Sequence, residues 1–486
     1  MKPKDSFSSN EIISPNSEGS STVKKTHTSI GIRKTLFGEV DMLNGSITKS
    51  FIAFCVPIIL MSFLQTLYNA ADVAVVGNFA GKEAVAAIGA TTPIVSLLVN
   101  VFVNISTGTS IILARSIGMK DKEAVRRIVD NSYLFSLIIG IAVMLLGQLL
   151  AVPLLELTDC PENVIDGAET YLRIYLLGLP ATMFYNFMST VIRVKGDTTR
   201  PFIYLTVSGI VNVSLNLFFV IVLNIPVAGV AIATVVAMYI SAALIFIRLR
   251  KMDGEYKLHP ISARFDGGTI LKIVRYGIPS AISASAFSIS NLQIQSAINA
   301  FGDAAISGNA AAASVEGFLF AFTSGFPAAT STFLGQNMGA GQRERTLEIR
   351  NRAYIIALSS TAVISVLSLI FAPNLISLFI PGEIDAIEFG TVRTYYIMSV
   401  AIFNAFNCIN AGIMQACGYT VYQMLNNLIG VCGIRVIWMT FIYPLSPSPH
   451  MLYVAYPITW VLTAVSGFII AYRLMRKYKK GASFDL

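Results

Sequence analysis

Residues 57–90, PIILMSFLQTLYNAADVAVVGNFAGKEAVAAIGA, return in altered form at 279–310 as PSAISASAFSISNLQIQSAINAFGDAAISGNA. Each copy opens on a proline, Pro57 or Pro279, and begins a segment of the length a helix needs to cross a bilayer, roughly 20 residues for about 30 Å of hydrocarbon. A second pair, RSIGMKDKEAVRR from Arg115 and QNMGAGQRERTLE from Gln336, keeps the same offset, so Gly89 matches Gly308 and Gly118 matches Gly339 about 220 residues later. The chain is a duplication of one membrane-embedded unit.

Working outward, twelve segments qualify as spans, approximately 51–76, 85–112, 129–151, 171–193, 202–222, 227–247, 270–298, 304–334, 353–379, 392–416, 421–442 and 451–472. The seventh is rich in Ser, Ala, Asn and Gln, which places it inside a bundle or along a cavity and not against lipid. The reading is an all-α polytopic membrane protein with twelve transmembrane helices in two parallel six-helix lobes. Six helices per repeat is an even number, so both lobes share one orientation and are related by an axis along the membrane normal. The expected boundaries are a disordered cytoplasmic tail at 1–46, an N-terminal lobe at 47–247, a cytoplasmic linker at 248–268, a C-terminal lobe at 269–472 and a cytoplasmic tail at 473–486.

Composition agrees. Of 486 residues, 54% are hydrophobic and 13% charged, about half the charged fraction of ordinary soluble domains. The net charge of +8 does not point to nucleic acid, because the Lys and Arg concentrate in alternate connections. The tails and the connections after helices 2, 4, 6 and 8 hold 31 of the 35, Arg193 among them. Lys82, Arg173 and Arg393 fall in the opposite connections and Arg435 inside a span. That asymmetry puts both termini in the cytoplasm. The five cysteines and three histidines form no disulfide framework and no zinc or haem spacing. GQNMGAGQRE lacks the ending of a nucleotide-binding loop. No hydrolytic set is visible and no removable signal peptide begins the chain. An enzyme with a bound cofactor is not indicated; two lobes around a midplane cavity are the architecture of a transporter.

Two acids lie inside spans, Asp72 in helix 1 and Glu316 in helix 8. A charge at the bilayer centre costs at least about 2.5–3.5 kcal/mol, so such acids face an interior or a cavity. Asp72 could bind and release a proton or a sodium ion, with Tyr68 and Asn69 near it on helix 1 and Asn212 and Asn216, four apart, on one face of helix 5. A structural acid hydrogen-bonded to neighbouring amides is the plainer alternative. In the C-terminal lobe Glu316, Arg435, Asn407, Gln293 and Gln295 form a second polar collection, in which Arg435 either snorkels to the boundary or pairs with Glu316. Pro57 and Pro279, at matching places, are candidate bends for gating.

Taken together, LQTLYNAADVAVVGNFAG at 64–81, IGMKDKEAVRR at 117–127, GDTTRPF at 196–202 and FLGQNMGAGQRE at 333–344 resemble the multidrug and toxic compound extrusion (MATE) family, in particular its bacterial DinF/MepA-like branch, over about residues 45–475. The resemblance implies a secondary antiporter of the bacterial cytoplasmic (inner) membrane. It would export organic cations or amphipathic drugs in exchange for H+ or Na+, without ATP, and act as a monomer with small molecules and membrane lipids as its partners. It assigns the N-lobe acid to Asp72, the helix 8 glutamate to Glu316 and the helix 11 arginine to Arg435. Where some proton-coupled members have Asn-x-x-x-Asp in helix 5, this chain has Asn212 and Asn216, which leaves a single-acid proton site and a sodium site at Asp72 both open. A lipid-linked saccharide flippase, or a scaffold without transport, are the competing readings.

Overall fold

The computed structural model describes residues 38–79, 81–158 and 160–484, and within helices a few side chains, Asn69 among them, lie outside the description. Twelve spans run in the expected order. They are α1 (Ile47–Phe79), α2 (Gly81–Gly118), α3 (Lys122–Leu157), α4 in two pieces (Ile165–Leu176 and Leu179–Lys195), α5 (Thr199–Leu217, continued as a π turn Phe218–Val222) and α6 (Pro226–Arg250), then α7 (Gly267–Asn299), α8 in two pieces (Asp303–Thr323 and Gly325–Gly339), α9 (Arg343–Ile370), α10 in two pieces (Ile384–Met398 and Ala401–Ala416), α11 (Thr420–Asn427, continued through Leu428–Gly433, Ile434–Ile437 and Trp438–Ile442) and α12 (Pro449–Tyr453 and Ala455–Lys479). Among the described residues nine helices are apolar and long enough to cross a membrane alone, and the α10 pieces, bent by 46°, make a tenth span. The two that fail are α4, broken at Leu177 and Gly178, and α7. The polar composition of α7 is explained by its position, since it packs lengthwise on α2 between the lobes.

Helix ends reach further than hydropathy suggests. α1 begins at Ile47, α6 runs to Arg250 and α12 to Lys479, because a helix continues past the hydrocarbon edge until its exposed carbonyls are met by basic side chains or solvent. The α3 start is conventional, with Asp121 accepting from Ala124 N. Pro57 and Pro279 sit inside helices that run uninterrupted. The breaks fall elsewhere, at Leu177 and Gly178 in α4, Ser324 in α8, Ser399 and Val400 in α10 and Val454 in α12.

The lobes touch on the side that carries both termini. Glycines make the approach possible: a Cβ on Gly108 of α2 would lie 2.0 Å from Ile273 O of α7, and one on Gly277 of α7 would lie 2.3 Å from Ile105 O of α2. Rings seal the α1 to α8 contact, with Phe51 and Phe54 at 5.5 and 5.7 Å from Phe333. Gln336 Nε2 of α8 donates to Val194 O of α4 at 2.7 Å, and the Ser62 and Ser324 hydroxyls meet at 2.7 Å.

Both chain ends fold onto this seam. Residues 38–46 were expected within a disordered tail, but the described part is packed: Val40 and Met42 are buried. Glu39 pairs with Lys195 at 2.6 Å, and Val40 N donates to Gly196 O at 2.9 Å, both in the N-terminal lobe. Asn337 Nδ2 donates to Met42 O and Arg345 Nη2 to Asn44 O, both at 3.0 Å, from the C-terminal lobe. At the other end Phe484 is buried against Tyr419 and Tyr478, and its carbonyl accepts from Arg115 Nη2 of α2 at 3.1 Å. The apolar Val40, Met42 and Phe484 supply burial energy that the polar composition of the tails concealed.

Candidate functional site

In the N-terminal lobe Asp72 projects from α1 toward α5. Its Oδ1 accepts from Asn216 Nδ2 at 2.5 Å. The same amide nitrogen lies 3.4 Å from Asn212 Oδ1. With the Asn212 amide turned over, the orientation its neighbours favour, its nitrogen donates to Asp72 Oδ1 at 2.9 Å and its oxygen accepts from the Thr234 hydroxyl at 3.2 Å. Asn212 and Asn216 are buried. Asp72 thus rests on two amides, and among the described residues no Lys or Arg is salt-bridged to it. The Asn216 Oδ1 beside it is a buried acceptor that meets no hydrogen-bond donor among the described residues, and such an atom is costly in a dry site. Tyr68 lies near on α1. Its hydroxyl donates to Thr206 O at 3.3 Å, and its ring fills the space left by Gly209, where a Cβ would come within 1.9 Å of the ring. Sequence reading grouped Asp72, Tyr68, Asn212 and Asn216 correctly in space; the Asn69 side chain lies outside the described residues. It missed Thr234 of α6, whose hydroxyl meets Asn212; nothing local in the sequence marks it.

The C-terminal lobe holds a different constellation. Glu316 is buried and receives both arms of Arg393, Nε to Oε1 at 2.6 Å and Nη2 to Oε2 at 2.7 Å. The third nitrogen of Arg393 donates to Asn309 Oδ1. Asn309 Nδ2 donates to Gln295 Oε1 at 2.9 Å, and Gln295 to Asn299 at 3.0 Å. Charge counting assigned Arg393 to an outer connection. It is instead 7% exposed inside α10, where a planar, bidentate partner for a buried carboxylate is needed. Arg435, expected to snorkel or to pair with Glu316, does not reach solvent: it is 0% exposed. It donates to Asn291 Oδ1 at 2.9 Å and lies over the Tyr456 ring at 4.4 Å, the ring that also carries Arg393 at 5.7 Å. Gln293 is exposed and takes no part.

Between the lobes lies a cavity in three chambers that share lining residues. The largest, about 340 Å³, is bounded by Gln65, Asn104, Asn186, Arg193 and Gln415. A second of about 230 Å³ extends into the C-terminal lobe past Asn404, Asn407, Gln423 and Trp460. A third of about 70 Å³ lies among Ser106, Thr190, Arg193 and Ser331. Gln415 lines all three. Asn407 is therefore a cavity residue, with its Nδ2 3.5 Å from Trp460 O. Arg193, counted above with a connection, faces the cavity.

The family model named MatE matches residues 57–218 and again 279–440, the two halves of the duplication. The chain belongs to the MatE family. Its matched halves coincide with the two lobes, and the architecture is the twelve-helix, two-lobe fold of the family's solved structures. One of these, a MATE crystallised in complex with MaL6, superposes with a TM-score of 0.83 at 22% identity, covering 93% of this chain and 99% of that one. Among curated proteins, the probable multidrug resistance proteins YoeA and YpnP of Bacillus subtilis (strain 168) are similar. YoeA is 24% identical over 80% of this chain and 86% of its own length, and YpnP is 28% identical over 81% and 88%. A MatE protein of this build is a multi-pass membrane transporter. Among the described residues no three His, Cys, Asp or Glu gather as a metal site.

Proposed function

We propose that this MatE protein is a secondary active antiporter that exports amphipathic organic compounds, organic cations among them, in exchange for H+ or Na+ bound at Asp72. The observation that carries the reading is the amide cradle of Asp72. A carboxylate held by two neutral amides, without a basic partner among the described residues, must acquire a cation or a proton when water leaves it. The unmatched Asn216 Oδ1 favours Na+, because a metal ion takes both that oxygen and the carboxylate whereas one proton serves only one acceptor. The relatives named as multidrug resistance proteins support the substrate class. The charge asymmetry supports termini on the cytoplasmic side of a bacterial cytoplasmic membrane. With both lobes in one chain, a monomer suffices.

The cycle follows from the seam. In this structure the lobes meet on the termini side, so the cavity belongs to the state closed there. Cation binding at Asp72 changes the packing of α1 against α5 and favours substrate release; cation release on the termini side resets the carrier. The test is efflux of a fluorescent organic cation from proteoliposomes under separately imposed H+ and Na+ gradients, with Asp72→Asn beside the native protein. Gradient-driven efflux lost in the variant is the expected result, and full coupled efflux by Asp72→Asn rejects the role.

A further inference from the structure

The floor of the interlobe cavity carries a positive charge, Arg193, that no carboxylate among the described residues balances. Arg193 closes the second piece of α4 and lines two of the three chambers. Its Nη2 donates to Thr190 Oγ1 at 2.8 Å, and among the described residues it has no carboxylate in ion-pair range. A guanidinium does not give up its proton in a protein, so holding it half-buried in this wall carries a desolvation cost that an anion offsets.

The remaining walls point the same way. No described residue lining any chamber is acidic. Ser331 Oγ, buried in the chamber that Arg193 shares, has no hydrogen-bond partner among the described residues, and Thr107 stands in the same wall. At the far end Trp460 lines the C-lobe chamber and packs on Tyr456 at 6.2 Å. Behind that ring sit Arg393, which is paired with Glu316, and Arg435. Asp72 is not among the described lining residues.

We propose that the cavity takes amphipathic substrates carrying an oxyanion, a carboxylate or a phosphate, seated on Arg193. The planar fork of the guanidinium receives two oxygens of such a group, and Ser331 and Thr107 supply hydroxyl donors beside it. The body of the substrate lies along the amides of Asn404, Asn407 and Gln415 toward the Trp460 ring. This assignment rests on the exporter reading and extends its substrate class beyond cations. It explains why the cavity is lined by amides and one arginine where a binder of cations alone would present carboxylates or an aromatic cage.

The experiment uses the full chain in proteoliposomes under the driving gradient, with three fluorescent probes: rhodamine 123 as cation, carboxyfluorescein as carboxylate and riboflavin 5′-phosphate, against unmodified riboflavin, as phosphate. Transport of at least one anionic probe is expected, with its KM raised roughly tenfold or more in Arg193→Gln, the scale of one lost charge-assisted contact, and partly restored in Arg193→Lys. The KM for rhodamine 123, which shares the cavity, is expected to hold or fall in Arg193→Gln, because a like charge is removed from its wall, opposite to the change for the anion. Comparison of carboxyfluorescein with the riboflavin pair tells which oxyanion is preferred. Transport of rhodamine 123 with neither anion moved overturns the inference and leaves the antiporter standing. An equal loss for cation and anion in Arg193→Gln, unrescued by lysine, assigns Arg193 to structure and also overturns it. No movement of any probe under either gradient removes the exporter reading itself, and the inference with it.

Discussion

Gly118 and Gly339, equivalent positions in the two repeats, pack on each other across the seam between the lobes. A Cβ on Gly339 would lie 3.1 Å from Gly118 Cα and 2.3 Å from Arg115 O, and a Cβ on Gly118 would lie 2.0 Å from Gln336 O. The duplication therefore placed its own internal match at the pseudo-twofold contact, where two helix ends approach as closely as backbones can. Nothing flexible stands in the way, because the atoms met are backbone carbonyls.

Gly339→Ala is expected to hold the lobes apart on the termini side. Overpacking of this kind costs about 1–3 kcal/mol, charged only to the closed state, and a shift of about 1.4 kcal/mol is tenfold in population. Cys55, buried where its thiol donates to Gly325 O across the seam, reports the change. With the other cysteines replaced by serine, its labelling by a maleimide should accelerate about tenfold. Unchanged labelling would show that the helices slide without opening.

The Glu316 and Arg393 pair predicts an asymmetry between single and double variants. Glu316→Gln leaves a buried guanidinium uncompensated and should cost about 3–5 kcal/mol, whereas joint replacement by Leu and Met of similar volume should cost far less. Thermal unfolding in detergent of the two singles and the double measures the coupling. Additive losses would place the pair in a wetter setting than its burial indicates.

Sodium should stabilise the native protein through Asp72. Ion bound only to the folded state adds about 2.7 kcal/mol at a hundredfold excess over its dissociation constant. A rise in melting temperature with NaCl over choline chloride is expected in the native chain, reduced in Asn216→Ala and absent in Asp72→Asn. An equal rise in all three would mean a general salt effect and leave H+ as the coupling ion.

The C-terminal arm predicts a change in gating. Phe484 borders the pocket that contains Cys417, and its carbonyl is held by Arg115 of the other lobe. Removal of residues 480–486 should expose Cys417 to maleimide several-fold more and raise the fraction of molecules open on the termini side. Labelling equal to the full chain would mean that Tyr419 and Tyr478 cover the thiol by themselves.

The sequence by itself determined the architecture. Span lengths follow from bilayer thickness, the parallel lobes from an even number of helices per repeat, and the proposed N-lobe ion site from Asp72 and the i, i+4 pair Asn212 and Asn216, all of which are local or periodic signals. Only the tertiary structure added Arg393 and Arg193 to the charges of the interior. Arg393 and Arg193 looked like connection residues because hydropathy averages over a window and is silent on helix rotation and on helices that bend or break, as α10 and α4 do. The partner of Glu316 lies 77 residues away in the chain, and the fixed geometry of packed helices, absent from any one segment, is what brings the two together.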